Sequence, residues 1–315
     1  MRRVLAVSFC VFFISGVASA TIDTFGTGAN QFTIDFVPIS GSTNPTSGYG
    51  IVNNDYRMGT YEITNDQWNK FTASLGVPVT GEPSYAYDQG PYWTGTNVPT
   101  NRVSWYEAAQ FVNYLNTSKG YSQAYKFTGT QGQSDYTFTP WAVTDAGYNA
   151  GNPYRNGNAF YFLPTEDEWV KAAYWNGTNL QEYATKVGEI LTQGNGTSGT
   201  GWNYYDNGYV ADPYGPWAVG SGSEELNGTF DMMGNVFEWM ESPYNSGDYV
   251  SGSQRGLRGG SYYDIGNFQK SSARDILTPG GEIHDAGFRV ASEVPEPATL
   301  LLLSFGGLVL RIRKT

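Results

Sequence analysis

In 315 residues the chain has one cysteine, Cys10, and one histidine, His284. Cys10 lies in an N-terminal stretch expected to be removed on export. No thiol is then left for a disulfide, a thiolate nucleophile or a soft-metal site. A single imidazole cannot build a histidine metal cluster. A serine triad would need that same histidine, and no G-x-S-x-G elbow is evident. Basic residues are also few: 18 Lys and Arg against 29 Asp and Glu give a net charge of −11. Such a surface repels nucleic acid and anionic membranes and is compatible with cations such as calcium. No apolar run reaches the roughly 20 residues of a membrane-spanning helix, and no internal repeat is present.

Both ends read as addresses. Arg2 and Arg3, the apolar stretch from Val4 to Val17, and Ala18-Ser19-Ala20 form the three parts of a secretory signal, residues 1–20, cleaved after Ala20. At the other end Val294-Pro295-Glu296-Pro297 precedes the apolar run Ala298–Leu310 and the basic Arg311, Arg313 and Lys314. That run is short for a permanent span, and its basic end should stay on the cytoplasmic side. Residues 293–315 resemble the PEP-CTERM sorting signal of bacteria that make exopolysaccharide. The resemblance implies an exosortase as partner, transient membrane contact through the tail, and a final place at the cell surface or in the matrix. A plain C-terminal anchor is the alternative. Processing at both ends would take the net charge to about −16 and leave about 275 residues, enough to bury a core without disulfides.

What is abundant is Gly, Asn, Ser, Thr and Tyr, with aromatics at 16% and charged residues at 15%. Three helices are predicted by one device. Thr64 with Gln67, Ser104 with Glu107, and Thr165 with Glu168 each form a capping box, in which a hydroxyl and a longer side chain satisfy each other's backbone amides. Apolar residues follow at helical spacing: Trp68 and Phe71; Ala108, Phe111, Val112 and Leu115; Trp169, Ala172 and Ala173. Gly76 and Gly120 mark stops for the first two. Strands are predicted within 55–62, 159–163, 256–258 and 286–291. Mobile segments are expected at 21–30 and 194–201. A few helices around an irregular antiparallel core make an α+β domain.

Seven segments resemble, in order, the formylglycine-generating enzyme and sulfatase-modifying-factor family. They are Arg57-Met-Gly-Thr-Tyr-Glu-Ile-Thr-Asn65, Val103-Ser-Trp-Tyr-Glu-Ala108, Phe162-Leu-Pro-Thr-Glu-Asp-Glu-Trp169, Asp231-Met-Met-Gly-Asn-Val-Phe-Glu-Trp239, Arg258-Gly-Gly-Ser261, Ser272-Ala-Arg274 and Gly287-Phe-Arg-Val290. The resemblance runs from about 35 to 292, with 21–34 as a lead. It implies a loop-rich fold like a C-type lectin, held by structural calcium. In the enzymes a thiolate pair after the RGGS turn binds copper and oxidises a sulfatase peptide. Here the matching positions are Asp264 and Gln269, whose hard oxygens do not suit copper(I). Neither copper nor iron is expected.

The resemblance also implies calcium ligands: the Asp231 and Glu238 carboxylates with the Gly234 and Val236 carbonyls at one site, Asn203, Tyr204, Asp212 and Tyr214 at a second, and Glu62 as a further acid. The alternative at Glu238 is an ion pair with Arg258, Arg274 or Arg289. Those three arginines with Asp264 outline a possible ligand cleft, although in such motifs they more often tie loops to the core. Trp105, Trp169 and Trp239 are expected in the core. Two functions stay open. One is an exported noncatalytic protein binding exopolysaccharide or a surface protein. The other is an enzyme using Asp264 with another acid, such as Asp275 or Glu282. Asp264 open to solvent would favour the first; Asp264 facing a second carboxylate in a closed pocket would favour the second.

Overall fold

A computed structural model describes residues 20–77, 79, 90–206 and 213–295. The leader up to Ser19, Asp212 and the tail from Glu296 lie outside the described residues. The elements in chain order are β1 (Thr21–Phe25), β2 (Phe32–Ile39), β3 (Tyr56–Gly59), α1 (Asn65–Leu75), α2 (Trp105–Ser118), β4 (Phe127–Thr128), β5 (Thr137–Phe138), β6 (Tyr161–Phe162), α3 (Glu166–Tyr174), β7 (Phe237–Pro243), β8 (Arg255–Arg258), β9 (Asp275–Leu277), β10 (Ala286–Gly287) and β11 (Ala291–Glu293).

All three capping boxes form. Thr64, Ser104 and Thr165 accept from the amides of Gln67, Glu107 and Glu168, whose side chains accept in return from the cap amides. α1 stops at Gly76, at φ +68°, where a side chain would be strained. Trp68 and Phe71 of α1 pack on Phe111 of α2. Trp105, Trp169 and Trp239 are fully buried.

A five-stranded antiparallel sheet runs β1-β2-β3-β11-β6, and a four-stranded sheet runs β10-β7-β8-β9. Three expectations are corrected here. Residues 21–30 are not a mobile lead: β1 pairs with β2 from Thr21↔Phe36 to Phe25↔Phe32. Asp23 is pinned by Arg57 at 2.7 Å, and Phe32, Ile34 and Phe36 point inward at the two-residue period of a half-buried strand. The domain therefore begins at its first strand and not near 35. The predicted strand 286–291 is two strands, because Phe288–Val290 crosses between sheets. The Ile63 amide meets the Phe288 carbonyl at 2.9 Å, and Gly59 meets that of Val290 at 2.7 Å. Arg289 sits in this crossing and points into the space between the sheets.

Candidate functional site

Two sequence motifs lie side by side. In the β7–β8 ladder Glu238 is opposite Arg258. Upstream, the Gly234 amide donates to Gly259 and the Tyr262 amide to Asn235, each at 2.9 Å. Gly234 has φ +75°, and a Cβ there would lie 2.0 Å from the Asn203 carbonyl oxygen. Asp231 and Asn235 both adopt φ +59°, so the turn between them is tightly coiled.

Beneath it is a buried charge centre. Glu238 and Arg289 are both 0% exposed. Arg289 Nε donates to both Glu238 oxygens at 2.9 and 2.7 Å, and Trp169 Nε1 donates to Glu238 Oε2 at 2.7 Å. Arg289 also reaches the carbonyls of Gly59, Thr60 and Phe230. Glu62 takes the Asn235 amide at 2.7 Å and faces the Val236 N–H. Asp231 accepts from Gly220 N at 2.7 Å. Burial pushes the Asp231 carboxyl up to about 6. Burial, then the Asp231 charge, holds Glu62 well above the carboxylate range.

The expected calcium set at Asp231, Gly234, Val236 and Glu238 does not fit this geometry, because Glu238 is already covered by a guanidinium and an indole N–H. Among the described residues no three His, Cys, Asp or Glu side chains are placed to hold a metal. The second set is partly described. Asn203 is buried, donates to Gly215 O and Asn235 Oδ1, and leaves its Oδ1 without a hydrogen-bond partner. That oxygen suits a hard cation. The Tyr204 carbonyl accepts from Gln193 at 2.6 Å. The Tyr214 ring is exposed, and Asp212 is outside the described residues.

The ligand cleft expected of Arg258, Asp264, Arg274 and Arg289 is not formed. Arg258 and Arg274 both bind Glu166 in the first turn of α3, at 2.7 and 2.5 Å, and Arg258 also holds the carbonyls of Ser271 and Ala273. These arginines tie loops to the core, as planar guanidinium forks do.

Asp264 and Gln269 stand together, yet each is spent on its own loop. Asp264 Oδ2 accepts from Ser261 N at 3.0 Å and Ser261 Oγ at 2.5 Å, closing the turn after RGGS. Gln269 is fully buried, donates to the Asp264 carbonyl at 3.2 Å and leaves Oε1 without a partner. Second carboxylates do approach: Ser261 Oγ is 3.4 Å from Asp285 Oδ2, and the expected Asp275 also bears on Asp264, more weakly than Asp285. Burial, and to a lesser extent Asp285 and Asp275, raises the Asp264 carboxyl, against the Ser261 hydrogen bonds.

Around this turn the surface is aromatic. Tyr263 is 60% exposed, Tyr92 and Tyr214 55%, Ile265 46% and Phe268 38%. Trp93 meets Tyr214 and Tyr262 edge to face at 5.7 and 5.6 Å. His284, a loop residue as expected, lies over Tyr92 and 3.3 Å from the Tyr262 hydroxyl. Sequence reasoning missed Asp285, Asn235 and this aromatic face. The one local signal was the Tyr262-Tyr263 pair directly after the RGGS turn.

The fold is thus a mixed, loop-rich domain of the formylglycine-generating-enzyme and C-type-lectin kind. Solved structures with this architecture include Treponema denticola variable protein 1 (21% identical, TM-score 0.59, covering 87% of this chain and 99% of that one). CarF (24%, 0.57, 83% and 99%) and PvdO from Pseudomonas aeruginosa (17%, 0.53, 88% and 92%) share it too. The profile of the sulfatase-modifying factor enzyme 1-like domain matches residues 24–294, and the chain belongs to that family. The PEP-CTERM protein-sorting motif matches 293–314 and marks the chain for exosortase sorting and export to the cell envelope. Among the described residues no helix is long and apolar enough to cross a membrane. A curated relative, the chaperone protein LppX of Paenibacillus barcinonensis, is 25% identical over 269 residues, 79% of this chain and 84% of its own length.

Proposed function

We propose that this is a noncatalytic binding domain, sorted at the envelope, that holds a protein partner on the face built by residues 261–268. The observation that carries this is the fate of the two positions where the family's enzymes keep thiolates. Asp264 and Gln269 are turned inward as loop ties, while the side chains between and beside them, Tyr263, Ile265 and Phe268, face solvent. Exposed aromatic and aliphatic side chains clustered on one loop are the composition of protein-binding hot spots. Ile265 and Phe268 suit a protein better than a sugar, whose rings and hydroxyls call for flat aromatic platforms with amides. LppX is named a chaperone, which accords with a protein client.

The test is photo-crosslinking in the producing bacterium, with a benzophenone amino acid at position 263 or 268. A discrete protein adduct is expected from both positions and none from the exposed control positions Val143 and Val187. The same pattern from all four, or no protein adduct while the purified protein binds exopolysaccharide, would overturn the reading.

A further inference from the structure

The two membrane-directed segments of the chain join the domain at one end. In the order β1-β2-β3-β11 each strand is antiparallel to the next. The chain therefore enters β1 at the end where it leaves β11, three strand spacings or about 14 Å away. One buried guanidinium ties the two strands together. Arg57 donates from Nη1 to Thr21 Oγ1 at 2.7 Å, and from Nε to Ser292 Oγ at 2.8 Å and the Glu293 carbonyl at 3.2 Å. The leader expected up to Ala20 runs into Thr21, and the sorting motif starts at Glu293. Each segment carries its basic residues, Arg2 and Arg3 or Arg311, Arg313 and Lys314, far from the domain. That placement keeps those charges in the cytoplasm and the domain outside. Ala298, where the apolar run starts, is five residues past Glu293. Fully extended, that stretch reaches about 18 Å, and the headgroup layer itself takes up about 5–8 Å of it. We infer that, until the tail is cut, this end of the domain docks on the outer headgroup layer of the membrane, with Tyr121, Phe160 and Val294 as its interfacial contacts.

The composition of that end suits a bilayer surface. β6 pairs with β11 there, and the Phe160 carbonyl takes the Glu293 amide at 2.8 Å. Tyr121 stacks on the Phe160 ring, with centroids 4.6 Å apart and planes 12° from parallel. Tyr121 is 42% exposed and Val294 39%. A ring with an apolar body and a polar tip settles at headgroup depth. The surroundings are polar, as a surface that rests on a bilayer without entering it requires. Asn54, Asp55, Asn152 and Glu293 line a cleft of about 430 Å³ at this end, and Asp55 and Glu293 are exposed. With the chain's net charge of −11, these carboxylates favour a zwitterionic headgroup, whose ammonium lies outermost, over an anionic one. The protein-binding face lies elsewhere. From the other end of β3 the chain runs to Glu62, which holds the Asn235 amide, and the Asn235 carbonyl takes the Tyr262 N–H. Tyr263 thus stands past the far end of the sheet and stays open to a partner while the domain is docked.

The experiment uses the full chain with its tail, made without an exosortase and carrying Cys10→Ser, in nanodiscs of phosphatidylethanolamine and phosphatidylcholine. A fluorophore is attached at Ser122→Cys, beside Tyr121, or at Tyr263→Cys, and is quenched by spin labels on the lipid headgroups. Quenching at 122 is expected to exceed that at 263 about fivefold or more, since only the docked end lies at headgroup depth. Tyr121→Ser combined with Val294→Ser should remove most of that difference and leave the melting temperature unchanged. A flexible insert of about twelve residues after Val294 lets the domain drift roughly 20 Å further from the bilayer. It should lower quenching at 122 by less than about twofold, because the contacts and not the tether hold the domain down. Phosphatidylglycerol at about a third of the lipid should weaken docking. Equal quenching at the two positions, or quenching at 122 that survives the double serine variant, overturns the inference. So does docking lost with the insert, which would leave the tether alone responsible. Docking strengthened by phosphatidylglycerol, or seen only when an exosortase is added, overturns the choice of a zwitterionic lipid surface as the partner.

Discussion

Replacing Glu238 by Gln tests the buried charge centre. The carboxylate holds Arg289 through both oxygens and also takes Trp169 Nε1; both partners of the pair are 0% exposed. Glutamine keeps the shape, removes the charge and turns an N–H₂ toward a donor. Arg289 retains three carbonyls and the more distant Glu62 and Glu225 carboxyls but loses its buried ion-pair partner. Breaking a buried pair from one side costs roughly 3–5 kcal/mol. At roughly 2–4 °C per kcal/mol for a domain of this size, the melting temperature should fall by roughly 6–20 °C. Urea unfolding should show the same loss with an unchanged m-value. Arg289→Met should be comparably harmful, and the double variant should be less harmful than the sum, with a coupling of about 1–3 kcal/mol. Each measurement is made in calcium and in chelator, and the shift should be the same in both. A loss under about 1 kcal/mol, or one seen only in calcium, would refute the reasoning and return Glu238 to the role of a metal ligand.

Three further outcomes are expected. Gly234→Ala should cost more than about 3 kcal/mol and expose the protein to proteolysis, because its Cβ would fall 2.0 Å from Asn203 O at φ +75°; near-native unfolding in urea would contradict the close approach. Calcium, implied by the family resemblance, is expected to act through Asn203: chelation should lower the melting temperature of the parent and leave Asn203→Ala unchanged, measured by differential scanning fluorimetry. Deleting 294–315 should release soluble, folded protein into the medium, because the last strand ends at Glu293 between β3 and β6; unfolded or retained protein, by circular dichroism and fractionation, would count against it.

How much of this was legible follows from the range of each interaction. The capping boxes span three residues, so Thr64, Ser104 and Thr165 could be read directly. The family motifs placed Trp105, Trp169 and Trp239 in the core and Asp264 and Gln269 at the former thiolate positions. Arginine ties were legible as a class, but the partner of Arg258 and Arg274 was not: Glu166 lies 92 and 108 residues away. The β1–β2 hairpin was missed even though Phe32, Ile34 and Phe36 alternate, because the Gly26-Thr27-Gly28 turn reads as flexible lead. The division of 286–291 was hidden in one continuous motif, since only the fold shows Arg289 turning toward Glu238. The aromatic face escaped because Tyr92, Tyr214, Tyr263 and His284 come from four segments with no common spacing.

The central claim is that the face around Tyr263 binds a protein. Its most direct test is the affinity of the crosslinked partner for the parent and for a Tyr263→Ala/Phe268→Ala double variant, by calorimetry. Two hot-spot aromatics together are worth roughly 2–4 kcal/mol, so affinity should fall roughly 30- to 1000-fold with an unchanged melting temperature. Undiminished affinity in the double variant would contradict the account.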